Sequence, residues 1–231
     1  MNLPAYLDRV LFVGLPYTAI FVCVLVSLQR YGWRVFTYSS LSSQFLENRT
    51  HFWALVPFHY GILTVLLGHL IGLSVPRAVL AWNGRPLRLY ILEVVALTFG
   101  ALTLISMLLL INRRLVKAKA RAVTSVMDWI MFAVLLFQVA SGVYVAVFTP
   151  WGSTWYAAVA VPYLWSIFGL NPSTATVTQL PLAAQLHIVN AFILIGLFPF
   201  TRLVHILVVP NPYLWRRPQV VRWYGPRYGR Q

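Results

Sequence analysis

Cysteine is nearly absent: Cys23 is the single thiol in 231 residues. A disulfide within the chain, a Cys-x-x-Cys-His haem attachment and a cysteine-based zinc site are therefore excluded. Acidic residues are almost as scarce, with four Asp and Glu, and charged residues of either sign make up only 10% of the chain. A soluble domain of this size carries about 25% charge, so the chain does not read as one. Disorder is excluded too, because 60% hydrophobic and 15% aromatic residues supply far more apolar surface than a disordered segment holds. The charge that is present leans one way: eighteen Lys and Arg give a formal +14. On a soluble protein that excess suggests a nucleic-acid partner, but no recognised module accompanies it. In a membrane protein it has another explanation.

Five stretches are long and apolar enough for a membrane-crossing helix of roughly 20 residues. They run from about Val10 to Leu28, Phe52 to Val75, Leu89 to Ile111, Val126 to Phe148 and Leu182 to Val209. The first has no basic stretch before it and no small-residue cleavage site after it, so it reads as a retained span rather than a signal peptide. Tyr156 to Leu170 is a sixth apolar stretch. It is shorter, interrupted by Pro162, bounded by Pro150 and Asn171-Pro172, and rich in Trp and Tyr. It reads as a helix lying in the membrane interface.

Charge sets the orientation. With the N-terminus outside and five spans, the cytoplasmic segments hold Arg30, Arg34, Arg49, Arg113, Arg114, Lys117, Lys119, Arg121, Arg202, Arg216, Arg217, Arg222, Arg227 and Arg230. Only Arg9, Arg77, Arg85 and Arg88 lie outside, and Thr149 to Pro181 carries no charge at all. This is the positive-inside pattern, and a sixth span would reverse it for the Arg-rich tail. The expected fold is thus an all-α membrane protein of five transmembrane helices, N-terminus outside and C-terminus cytoplasmic. Residues 1–209 form the membrane domain and 210–231 a basic cytoplasmic tail. The basic loop and tail are available to anionic lipid headgroups or an acidic soluble partner.

Ionisable residues inside spans are costly and point to function. Of five histidines, His59 and His69 lie on span two and His187 and His205 on span five, with no Asp or Glu on either span. The absence of carboxylates argues against a carboxylate metal site, whereas imidazole is a natural axial ligand of haem iron. With no thiol pair to tether it, such a haem would be b-type. The antiparallel course of the two spans pairs His69 with His187 on the outer side and His59 with His205 on the cytoplasmic side. At 1.5 Å per residue the two histidines are about 15 Å apart on span two and about 27 Å apart on span five, a mismatch that helix tilt must absorb. Helical periodicity alone leaves His51, eighteen residues before His69, as a competitor of His59. Its neighbours Asn48, Arg49 and Thr50 favour a solvated loop for it. Gly61, Gly68 and Gly72 leave room either for a flat macrocycle or for close helix packing.

The chain resembles the gamma subunit of respiratory nitrate reductase, a five-span dihaem cytochrome b. The resemblance covers nearly its whole length. It rests on Phe58-His59-Tyr60-Gly61-Ile62-Leu63, on Gly68-His69-Leu70-Ile71-Gly72, on Leu186-His187, and on Phe198-Pro199-Phe200-Thr201-Arg202-Leu203-Val204-His205-Ile206. Smaller echoes are Pro16-Tyr17, Arg30-Tyr31, Ser42-Ser43-Gln44 and Arg113-Arg114-Leu115. It implies two b haems held between spans two and five by His69 with His187 and His59 with His205, and so selects His59 over His51. It also implies oxidation of quinol (menaquinol or ubiquinol) beside the outer haem. Electrons would pass to the cytoplasmic haem, an iron–sulfur beta subunit and a molybdenum-containing alpha subunit that reduces nitrate. The location implied is the cytoplasmic membrane. The family's quinol-site lysine falls on Arg88, which keeps the charge but changes the hydrogen-bonding fork; Gly68 and Glu93 are the other quinol-site candidates.

Arg202, three residues before His205, and Arg114, at the cytoplasmic end of span three, are candidates for a haem propionate or for plain positive-inside anchoring. Glu93 and Asp128 each read as first-turn acids that complement a helix dipole, and Ser125 with Asp128 reads as a capping box. Glu93 is also a candidate proton acceptor for quinol. Two other function classes fit the residues less completely. One is a related haem-b carrier serving a sulfur or heterodisulfide enzyme, and the other is a non-redox membrane anchor or transporter with structural histidines.

Overall fold

The structure, a computed structural model, describes residues 3–33 and 49–207. Arg34, the Ser42-Ser43-Gln44 echo and the basic tail lie outside the described residues. Those that are described form helices and turns with no strand. Five helices are long and apolar enough to cross a membrane: Tyr6–Gly32, Trp53–Ser74, Pro86–Val116, Val126–Phe148 and Leu182–Phe200, called spans one to five. Each expected span is matched, and the stretch around Tyr156–Leu170 is not among them.

Local chemistry sets the boundaries. Span two lies within a helix over Arg49–Ser74, so His51 sits in its first turn rather than in the loop expected for it. The helix stops at Val75, whose backbone is turned out of the helical region (φ −134°, ψ 55°), because the ring of Pro76 disfavours helix at the preceding residue. Arg85 is extended before Pro86 for the same reason, and span three starts there. That places Glu93 in its third turn, not in the first turn expected. Span four begins with the expected capping box: Ser125 accepts from the Asp128 amide and Asp128 from the Ser125 amide.

Span five departs furthest from expectation. Its α-helix ends at Leu197, short of the continuous run to Val209 expected from hydropathy. Pro199 ends the regular hydrogen bonding. A tight turn at Phe198–Phe200 follows, then an extended Thr201 and a second tight turn over Arg202–Ile206. Arg30 of span one donates to the carbonyl of Pro199, and the Thr201 hydroxyl donates to Phe198 O at 3.0 Å.

The spans pack in the order two, three, four, five, one. Across the top lies a further helix over residues 152–168, entered through Trp151 in the left-handed region (φ 64°, ψ 43°). This capping helix is unbroken despite Pro162, since the wide π turn Tyr156–Ala160 precedes it and supplies the space a proline ring needs. The same device, Val10–Gly14, precedes Pro16 in span one. Pro16 has no N–H for the Phe12 carbonyl four residues back, and the hydroxyl of buried Tyr163 donates to that carbonyl at 2.9 Å. Burial, then the neighbouring Tyr17, pushes the Tyr163 phenol pKa up, so it stays a donor. Tyr17 donates in return to Ile167 O at 3.1 Å, and Trp165 to Leu73 O at 3.0 Å, near the end of span two.

One core cluster joins Phe12, Ala19, Val145, Tyr163, Ile167 and Phe192 beneath the capping helix, at what is called here the aromatic end. The other joins Met107, Met131, Phe132 and Val139 in spans three and four, toward the basic end. Tyr163→Phe, which strands the buried Phe12 carbonyl, is expected to cost about 1–3 kcal/mol. Denaturation of the detergent-solubilised protein, followed by circular dichroism, measures it.

Candidate functional site: two facing imidazole pairs

Spans two and five face each other without extended packing contact. Across the space between them stand two imidazole pairs. The ring centroids of His69 and His187 are 6.4 Å apart, with planes inclined by 35°. Those of His59 and His205 are 6.2 Å apart, with planes inclined by 71°. The break after Leu197 lies between His187 and His205, and His205 stands beside His59 beyond it.

Three of the four rings have their orientation and tautomer set locally. A carbonyl only accepts, so the Nδ1–H of each donates: His59 to Leu55 O at 2.9 Å, His69 to Val65 O at 2.8 Å and His205 to Arg202 O at 2.8 Å. In the neutral ring that tautomer leaves Nε2 as the nitrogen without a hydrogen. His187 is held from span four instead. Ser141 spends its own hydrogen on Gln138 O at 3.1 Å, which leaves its oxygen to accept from His187 Nδ1 at 3.0 Å. The Gln138 side-chain amide lies 3.0 Å from Nε2 and 3.2 Å from Nδ1 of the same ring. Its carbonyl accepts from Asn190 at 2.7 Å, and Asn190 also donates to Val134 O at 3.0 Å.

This donor set fits a bis-imidazole metal centre. With metal–nitrogen bonds of about 2 Å, two opposed imidazoles on one ion have centroids about 6.3 Å apart, which matches both pairs. The surroundings also fit a large planar group at the aromatic end. His69 is exposed, and a Cβ added to its neighbour Gly68 would meet nothing within 4 Å. Among the described residues there is no cluster of three or more metal-ligating side chains.

The other glycines divide by what they face. A Cβ on Gly61 would run into Thr103 Oγ1 and lie 3.0 Å from Phe99 O, so Gly61 admits span three. A Cβ on Gly72 would lie 2.7 Å from the Tyr156 ring. Close packing, not cofactor space, accounts for these two. Gly142 was not singled out by sequence; its Cβ would lie 2.9 Å from His187 Cε1. Gln138, Ser141 and Asn190 were missed likewise. The available signal was polar residues at helical spacing on spans four and five.

Tyr156 ties the capping helix to the turn that carries His69. Its hydroxyl donates to His69 O at 3.1 Å and its ring meets the imidazole edge-on at 5.2 Å. Burial pushes its pKa up to about 12. Next to this turn, Ile71, Val75, Ala78, Val79, Trp82 and Leu92 line an apolar groove of about 250 Å³. Arg88 stacks its guanidinium 5.0 Å from the centre of the Trp82 ring. Glu93 accepts from the Ser153 amide at 2.9 Å and hydroxyl at 2.6 Å, at the start of the capping helix.

At the basic end the two arginines are used differently. Arg202 forms a 2.8 Å ion pair with buried Asp128 and donates to Val123 O at 3.0 Å. Arg114 lies over the Phe132 ring at 4.6 Å, and its buried Nε has no hydrogen-bond partner. Arg114 thus has a donor to spare for an anionic group, whereas Arg202 is committed within the protein.

The nitrate reductase gamma subunit family matches residues 8–224 of the chain. The respiratory nitrate reductase 2 gamma chain of Escherichia coli is 33% identical over 226 residues, which is 94% of this chain and 97% of the relative. The nitrate reductase gamma chain of Bacillus subtilis is 29% identical over 218 residues, 93% of this chain and 97% of the relative. The nitrate reductase-like protein NarX of Mycobacterium tuberculosis is 32% identical over 206 residues, 87% of this chain but only 32% of that longer protein. This chain therefore spans about a third of NarX and nearly all of each gamma chain.

The glycines yield a contrast. Gly61→Ala is expected to cost about 1–3 kcal/mol through overpacking against span three. Gly68→Ala leaves the helix packing intact and affects only what fills the open face. Denaturation of each variant, followed by circular dichroism, separates the two: a loss of stability is expected for Gly61→Ala alone.

Proposed function

The chain belongs to the nitrate reductase gamma subunit family, and from that premise we propose that it is the membrane-anchor cytochrome b subunit of a respiratory nitrate reductase, lying in the cytoplasmic membrane. In this reading it takes electrons from quinol at the aromatic end, which faces outward. It passes them toward an iron–sulfur beta subunit and a molybdenum alpha subunit at the basic, cytoplasmic end. The observation that carries the proposal is the matched separation of the two imidazole pairs, 6.4 and 6.2 Å, between spans with little direct packing.

His69 with His187 would hold one b haem and His59 with His205 the other. Bound there, the haems supply one-electron relay between the two ends. The protein's own share is orientation and substrate capture. The carbonyls of Leu55, Val65 and Arg202 keep three Nε2 atoms directed at the gap, and such outer partners also raise the basicity of the ring. Arg114 offers its unpartnered Nε to a propionate at the basic end.

Quinol is a hydrophobic substrate, and the apolar groove that starts at Ile71 suits it. Its oxidation to quinone releases two electrons and two protons. Arg88 borders the groove through Trp82, and Glu93 follows its lining residue Leu92. Oε1 of Glu93 is occupied by Ser153, and Oε2 is the oxygen that would take a proton. Proton release outside, with delivery of the electrons inside, separates charge without a proton channel in this chain.

Replacing either member of a pair tests the assignment. His69→Ala or His187→Ala is expected to remove one of two b haems and abolish quinol-dependent reduction of the remaining one. His59→Ala or His205→Ala should remove the other. Haem is quantified as the pyridine haemochrome in the purified protein, and two haems retained in any of these variants would refute the pairing.

A further inference from the structure

His187 is the only one of the four paired histidines whose Nδ1 contacts no backbone carbonyl of its own helix. Its setting comes from spans four and five together. The Val134 carbonyl can only accept, so Asn190 presents its NH2 group there. The same NH2 donates to Gln138 Oε1, which turns the Gln138 NH2 toward the imidazole. Asn190 is only 7% exposed, so this order of donors and acceptors is enclosed and fixed.

The position of the Gln138 nitrogen is informative. A donor at 3.0 Å from Nε2 and 3.2 Å from Nδ1 cannot lie on the in-plane lone-pair axis of either nitrogen. It lies against the ring, and the Nε2 lone pair remains directed away from it. Ser141 accepts a hydrogen bond from Nδ1–H, beside the Gln138 backbone carbonyl, and Gly142 leaves the space in which the ring edge sits. The histidine therefore receives two opposing influences. The positive end of the Gln138 N–H dipole draws electron density from the ring. The Ser141 oxygen, by accepting from Nδ1–H, gives the ring more imidazolate character.

The geometry points to Gln138, held by Asn190, as a positioning residue that sets both the ring orientation and the donor strength of His187, with Ser141 as its counterweight. This rests on the reading of His187 as a haem ligand. A ligand that donates less favours reduced iron, and one that donates more favours oxidised iron. Gln138 raises the potential of the haem at the aromatic end and Ser141 lowers it.

The test is an optical redox titration of the purified intact complex, with the aromatic-end haem identified as the component missing from His187→Ala. Gln138→Leu is expected to shift that haem to lower potential, and Asn190→Leu to shift it the same way. Ser141→Ala is expected to shift it to higher potential, with the other haem unmoved in all three. An unmoved potential in the Gln138 and Asn190 variants, or a shift of one sign in all three, overturns the proposal. If Gln138→Leu does not accumulate, Asn190→Leu and Ser141→Ala decide alone: opposite shifts support the proposal, and equal or absent shifts overturn it. Failure of the underlying reading would look different, since the unmodified complex would then show no b-type bands.

Discussion

Two helices that present facing imidazoles with little packing between them must be held apart by their neighbours, and the rest of this bundle meets that requirement. Between spans two and five there is little direct contact, so each is positioned from its far side. Span three packs on span two and reaches it closely because Gly61 has no side chain. Span five is held between span four and span one, where a Cβ on Gly196 would stand 3.5 Å from Ala19, an ordinary contact. The gap is thus a product of the packing around it. Apolar burial within a bilayer does not drive helices together, so close approach at small residues and specific polar contacts carry the association.

The polar contacts follow a common rule. In lipid every backbone group needs a partner, and each proline or helix end leaves a carbonyl without one. Side chains from neighbouring elements meet several of these demands. Tyr163 reaches Phe12 O, opened by Pro16; Trp165 reaches Leu73 O near the end of span two; Arg30 reaches Pro199 O beyond span five. Aromatic residues of the capping helix therefore do more than mark an interface. They satisfy carbonyls at the aromatic ends of spans one and two, and through Tyr156 they tie the helix to the turn that bears His69.

The spans were legible because twenty apolar residues are a strong signal, and so were the histidines, because ionisable groups are rare in such segments. Less legible were features that depend on which face a residue presents to a neighbour. Gly61, Gly68 and Gly72 look alike in sequence, yet one meets span three, one meets open space and one meets Tyr156. Glu93 seemed to start a helix because hydropathy rises near Leu89. Pro86 starts it earlier, and Glu93 is drawn to Ser153 sixty residues on. Hydropathy also continues through Phe198-Pro199-Phe200 without a change, so the break in span five was invisible to it. Gln138 and Ser141 escaped because uncharged polar residues are unremarkable in a span until a histidine is found against them.

The same dependence on neighbours explains how a chain with four carboxylates uses one of them. Asp128 is buried, and an unpaired buried carboxylate would cost several kcal/mol. It accepts from the Ser125 amide at 2.9 Å and pairs with Arg202 at 2.8 Å. Arg202 lies in the short turn after the break in span five, and its carbonyl is the acceptor for His205 Nδ1. The acid that caps span four thereby fixes the turn that orients an imidazole of span five. A break that would otherwise leave His205 on a loosely held end becomes a docked one. Arg202 is used to neutralise Asp128, whereas the adjacent Arg114, whose buried Nε lacks a partner, keeps a donor for an anionic group at that end.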